Sequence, residues 1–126
     1  MRQAIFWQAF FGLFCFDLML SLRDFATVHR IVRRWAVAET RPTDARLVSR
    51  ICDAVNYACS WYPKRVLCLQ RSAVTTCILR SHGIDAQWAL GAQRLPFKAH
   101  AWVEVDGKAI NERVDVQSIY TLWEKS

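Results

Sequence analysis

The order of hydrophobic and polar positions divides the chain into a helical first part and a strand-forming second part. Ile5, Phe6, Trp7, Phe10, Phe11, Leu13, Phe14 and Phe16 make the first segment apolar on every side. A helix there can turn one face to a core while another stays exposed unless a second protein covers it. Asp24 is placed to cap a second helix through Val28, Ile31, Val32 and Trp35, with His29, Arg30, Arg33 and Arg34 on its other side. Turn and cap signals crowd the stretch from Thr40 to Asp44. The next helix lines up Leu47, Val48, Ile51, Val55, Ala58 and Cys59 before Pro63 ends it. A fourth helix begins near Cys68 and stops at Gly83, whose missing Cβ suits a left-handed cap.

After Gly83 the period shortens. Ala86 to Leu90 and Ala99 to Val105 read as strands joined by a loop that holds Pro96 and Phe97, and a third strand follows the turn at Asp106-Gly107. Helices first and a short antiparallel sheet second make an α+β architecture, with the N-terminal helices packed on the sheet. At 126 residues the chain predicts one domain over 1–126.

Composition changes this picture in three places. Six Trp, seven Phe and three Tyr supply a large apolar core for so short a chain and argue against disorder. The formal charge of +6 reads as a solvated, soluble surface, and it gives no specific support to nucleic-acid binding. The five cysteines are odd in number, lack a C-x-x-C pair and have no histidine at zinc-finger spacing, so neither a disulfide framework nor a metal is expected. A reducing cytoplasm fits better. Cys52 and Cys59, seven apart on or beside one helical stripe, read as packing residues. The first segment is interrupted by Gln3, Gln8 and Asp17 and lacks a small-residue cleavage site. Its uncharged stretch from Gln3 to Phe16 is shorter than the roughly 20 residues a membrane span needs, so no span is expected.

Candidate chemistry centres on Cys68. A helix N-terminus offers unpaired N–H groups and the positive end of the dipole, which stabilise a thiolate. An imidazole beside that thiolate holds the ion pair and later gives its proton to a leaving amine. His100 opens a strand and is the candidate base. His29 lies in a basic helical stretch, and His82 stands about 21 Å down the helix from Cys68.

The imidazole then needs a third group to orient it, and the hairpin register decides which. If Val105-Asp106-Gly107 is a three-residue loop, Glu104 pairs with Lys108 and His100 falls opposite Glu112, with Cβ atoms roughly 4.5 to 5.5 Å apart. If Asp106-Gly107 is a two-residue turn, Asn111 comes onto the His100 face opposite Trp102 while Glu112 turns away. Apolar matching of Val103 with Ile110 leans toward the second register, and the pattern alone does not decide between the two. Asp115 is a more distant choice. The chain has no H-E-x-x-H, which disfavours metal-dependent hydrolysis.

Two blocks carry a resemblance: Cys68-Leu69-Gln70-Arg71-Ser72, and Pro96-Phe97-Lys98-Ala99-His100-Ala101-Trp102-Val103-Glu104-Val105-Asp106-Gly107. Together they resemble lasso-peptide leader peptidases, proteins of the transglutaminase-like, papain-related fold. The resemblance runs from about Val66 to Glu112, with His100 thirty-two positions after Cys68. It implies a catalytic core over 63–115 in which Cys68 is the nucleophile, His100 the base and Glu112 stands where relatives have Asp. Asn111 is the alternative third member. Pro96, Phe97 and Trp102 are placed to line a peptide groove, and Arg71 and Ser72 belong to the motif or pin the helix to the sheet.

The short chain is similar to the stand-alone protease of split systems. That implies a precursor peptide as substrate, a separate leader-binding protein, for which the N-terminal helices of 1–40 are a candidate dock, and a ring-closing cyclase acting next. No cofactor is implied. The alternative from another class is a non-catalytic scaffold of the same fold that docks the precursor or its partner.

Overall fold

The structure, a computed structural model, describes residues 2–38, 44–63, 68–93, 98–112 and 116–125. Four helices come first: α1 (Arg2–Leu22), α2 (Phe25–Arg34), α3 (Ala45–Trp61) and α4 (Cys68–Ser81). Strands β1 (Ala86–Gln93), β2 (Lys98–Val105) and β3 (Lys108–Ile110) follow, then a single-turn α5 (Val116–Ile119) and β4 (Thr121–Lys125). The sheet is antiparallel in the order β3-β2-β1-β4. The α+β order expected from the sequence holds. The added elements are α5 and β4, which bring the C-terminal residues to the outer edge of β1.

The local stop signals act as expected. Asp24 caps α2 by accepting the Thr27 N–H at 3.0 Å, and Asp44 caps α3 by accepting the Arg46 N–H at 3.0 Å. At the end of α4, Gly83 adopts φ 84°; its N–H bonds the Arg80 carbonyl at 3.1 Å and the Ile84 N–H bonds Leu79 at 3.0 Å. That is the paired arrangement by which a glycine closes a helix.

Helix α4 is buried from Ser72 through Arg80 and lies between α1 and α3 on one side and β1 and β2 on the other. Ile5, Ala9, Leu13 and Phe16 of α1 join this core, as do Ile51, Val55 and Ala58 of α3. The opposite face of α1 exposes Trp7, Phe11, Phe14, Leu18 and Leu22. By length and composition Gln3–Leu22 is apolar enough to cross a membrane. In the folded domain its only charged residue, Asp17, takes hydrogen bonds from Tyr62 Oη at 3.2 Å and Gln70 Nε2 at 3.3 Å, tying α1 to the end of α3 and the start of α4.

Candidate active site

Cys68 is the first residue of α4, and its thiol lies within hydrogen-bonding reach of the His100 imidazole and the Ala101 amide on β2. Two further contacts fix the start of this helix against the sheet. Ser72 Oγ donates to the Cys68 carbonyl at 2.6 Å, and the fully buried Trp88 of β1 donates its indole N–H to Ser72 Oγ at 2.8 Å. Ser72 therefore pins helix to sheet one turn below the thiol.

Burial alone would raise the Cys68 pKa. Hydrogen bonds from His100 and the Ala101 N–H, with the charges of His100 and Arg71, outweigh it and leave the thiol below its ordinary value. His100 is raised to about 9, first by its hydrogen bond to Cys68 and then by that to Glu112, against desolvation. Both shifts favour a thiolate-imidazolium pair. Elsewhere burial pushes the thiols the other way, Cys52 to about 11 and Cys77 to about 12, as expected of packing cysteines; Cys59 is likewise raised by burial.

Glu112 meets His100: Oε1 lies 2.9 Å from Nε2, which leaves Nδ1 of the ring for the sulfur. Arg71 Nη2 stands 4.0 Å from the other oxygen, Oε2. The motif arginine thus faces the carboxylate from α4.

The hairpin takes the two-residue turn, yet Glu112 is not turned away as that register predicts. Asp106 (φ 53°) and Gly107 (φ 77°) form the two-residue turn, and Val103 pairs with Ile110. In that register an unbroken β3 would turn Glu112 away. The strand instead stops at Ile110, because Asn111 takes a left-handed φ of 59° and redirects the chain. Asn111 does not join His100 either. Its amide pairs reciprocally with Asn56 of α3, at 2.8 Å from Asn56 Nδ2 and 3.1 Å from Asn111 Nδ2.

Trp102 is a second correction. At 1% exposure it lines no groove; it packs with Ala89 and Val116, and its indole N–H is donated to Glu104 Oε2 at 2.9 Å. Strand alternation puts Trp102 on the same face as His100, and their rings stack at 6.0 Å. Glu104, itself buried, also accepts from Gln117 Nε2 at 3.1 Å and faces Lys125 of β4. Gly91 lies opposite His100, where a Cβ would come within 2.7 Å of the Trp102 ring and of the Thr121 carbonyl. Pro96, Phe97 and Asp115 lie outside the described residues.

Sequence reasoning missed Tyr120, whose ring stacks on His100 at 5.2 Å just before β4, and Asn56, which no motif flags. His29 packs against Phe25 and Trp88, and His82 bonds the Ile78 carbonyl at 3.0 Å. Neither joins Cys68.

An α+β core with a cysteine at a helix start and a histidine on the facing strand is the arrangement that a transglutaminase-like fold provides. Residues 12–124 match the family model described as the transglutaminase-like superfamily, and the chain belongs to that superfamily. A 45-residue stretch is 44% identical to the microcin J25-processing protein McjB of Escherichia coli. The stretch covers 36% of this chain and 22% of that protein, so the chain spans less than a quarter of the relative's length. No solved structure matches.

Proposed function

We propose that the chain is a cytoplasmic cysteine peptidase that removes the leader from a ribosomally made lasso-peptide precursor. The observation that carries this reading is the chain of contacts from the Cys68 thiol through the His100 imidazole to the Glu112 carboxylate. The similarity to a microcin J25-processing protein supports the substrate class.

In this mechanism the Cys68 thiolate attacks the scissile carbonyl carbon. The resulting oxyanion is held by the Cys68 backbone N–H, which as the first in its helix has no intrahelical acceptor. One such donor contributes about 2.7 to 4 kcal/mol to the transition state. The intermediate collapses as the imidazolium gives its proton to the departing core-peptide amine, leaving the leader as a thioester on Cys68. Water then attacks the thioester, His100 accepts its proton, and the leader leaves as a carboxylic acid. Glu112 orients the imidazole and stabilises its charged form, the role an aspartate or amide has in other triads. Its extra methylene is accommodated by the break in the strand at Asn111.

The exposed face of α1 supports the partner reading. Trp7, Phe11, Phe14 and Leu18 form one continuous apolar stripe, with Phe11 60% exposed, on the side turned away from the core. In our proposal a separate leader-binding protein covers this stripe and presents the precursor, and a ring-closing cyclase consumes the freed core. Incubation of a leader-core peptide with the leader-binding protein and either wild type or Cys68→Ala, read by mass spectrometry, tests the reading. Cleavage by wild type alone is expected. Undiminished cleavage by the variant would leave only a scaffold.

A further inference from the structure

Glu112 reaches His100 only because the strand before it is broken, and the break has an identifiable cause. In the two-residue register, extended backbone at Asn111 would carry Glu112 to the far face of the sheet. A left-handed residue other than glycine needs local compensation, which asparagine accepts more readily than most. Here that compensation comes from 55 positions away: the part-buried Asn56 and Asn111 amides each donate to and accept from the other.

Resting on the reading that Glu112 orients His100, we infer that Asn56 is a positioning residue: its amide holds Asn111 in the left-handed conformation that delivers the Glu112 carboxylate to the imidazole. Asn56 touches none of the reacting groups. It acts from α3, through the hairpin end, on the orientation of a base carried by β2. Among the described residues, the groups facing His100 are Cys68 and Arg71 from α4, Glu112 from the end of the hairpin, Tyr120 from the segment before β4, and Trp102 of its own strand. Cys52, Asp53 and Lys108 line the same groove as Asn111. The Cys68→Ser background is common to every titration below, and Arg71, Tyr120 and the groove residues are unchanged in each variant, so a change in His100 titration reports the Glu112 carboxylate.

The test is the titration of His100 followed by NMR in a Cys68→Ser background, which removes coupling to the thiol, with and without Asn56→Ala. The midpoint is expected at lower pH when Asn56 is Ala. Asn111→Ala should shift it the same way, and the double variant no further, because both act through one contact. Should Asn56→Ala fail to fold, Asn111→Ala, at the partly exposed hairpin end, carries the same readout. An unchanged midpoint in a folded variant overturns the inference.

With Cys68 restored, the alkaline limb of kcat/KM should move to lower pH and kcat fall by up to about a hundred-fold with KM held. A role confined to stability would lower the whole profile and leave its limbs in place. The NMR arm needs no substrate, so its outcome is independent of whether the peptidase reading survives.

Discussion

His100 Nε2 and Glu112 Oε1 lie 2.9 Å apart at the end of a hairpin whose pairing, continued by one more extended residue, would separate them. The carboxylate arrives through a left-handed asparagine. Its removal has a defined signature. In Glu112→Gln the His100 pKa should fall from about 9, because one of the two hydrogen bonds that raise it is weakened. The alkaline limb of kcat/KM then moves to lower pH. The sign for stability follows: a raised histidine stabilises fully below about pH 6.5 and loses that contribution as pH rises through about 9. Thermal unfolding of wild type and Glu112→Gln across this range should show their difference shrinking with rising pH.

Arg71 acts on both ends of the site. Its guanidinium lies 4.0 Å from Glu112 and its charge helps hold the Cys68 thiol below the ordinary value. Arg71→Met should move the acid limb of the rate profile to higher pH. The residue is about one-third exposed, so solvent screens it, and the loss in kcat/KM should be up to about five-fold. Steady-state rates at several pH values measure this.

Ser72→Ala should uncouple α4 from β1. It leaves the buried Trp88 indole N–H without its acceptor, at a cost of about 1 to 3 kcal/mol in urea denaturation. It also frees the Cys68 carbonyl, so activity per folded molecule should fall too.

Gly91→Ala should be worse than its size suggests. The new Cβ would press on the Trp102 ring and on the Thr121 carbonyl, and one of those neighbours is backbone. Overpacking of this kind costs about 1 to 3 kcal/mol. Because Trp102 stacks on His100, the variant should also lower kcat, and denaturation with parallel kinetics separates the two effects.

Phe11→Glu on the exposed stripe of α1 should leave Cys68 alkylation unchanged and abolish co-elution with the leader-binding protein proposed to cover that stripe. Gel filtration of the mixture checks this directly.

The helix boundaries were legible because their causes are local: Asp24 and Asp44 cap, Pro63 follows a helix end, and Gly83 supplies a left-handed turn. The hairpin register was only half legible: the apolar pairing of Val103 with Ile110 leaned toward the observed two-residue turn without deciding against the three-residue loop. What followed from that register was not legible. The turn of the chain at Asn111 depends on Asn56, a partner on another element, and no periodicity encodes such a contact. Trp102 was readable as a neighbour of His100 from strand alternation, yet its burial depends on Ala89, Val116 and Tyr120. Tyr120 itself sits before a five-residue strand too short and mixed to announce itself. On α1, apolar residues all round gave no period from which to choose the buried face.

The lowered Cys68 thiol and the raised His100 imidazole beside it favour a thiolate-imidazolium pair. The most direct measurement is the rate of Cys68 alkylation by iodoacetamide below pH ~7, where an ordinary thiol is protonated, compared between wild type and His100→Ala by peptide mass mapping. Rapid labelling of Cys68 is expected in wild type, with no labelling of buried Cys52 or Cys77 and loss of Cys68 labelling in His100→Ala. Equal, slow labelling of Cys68 in both proteins would contradict that pairing.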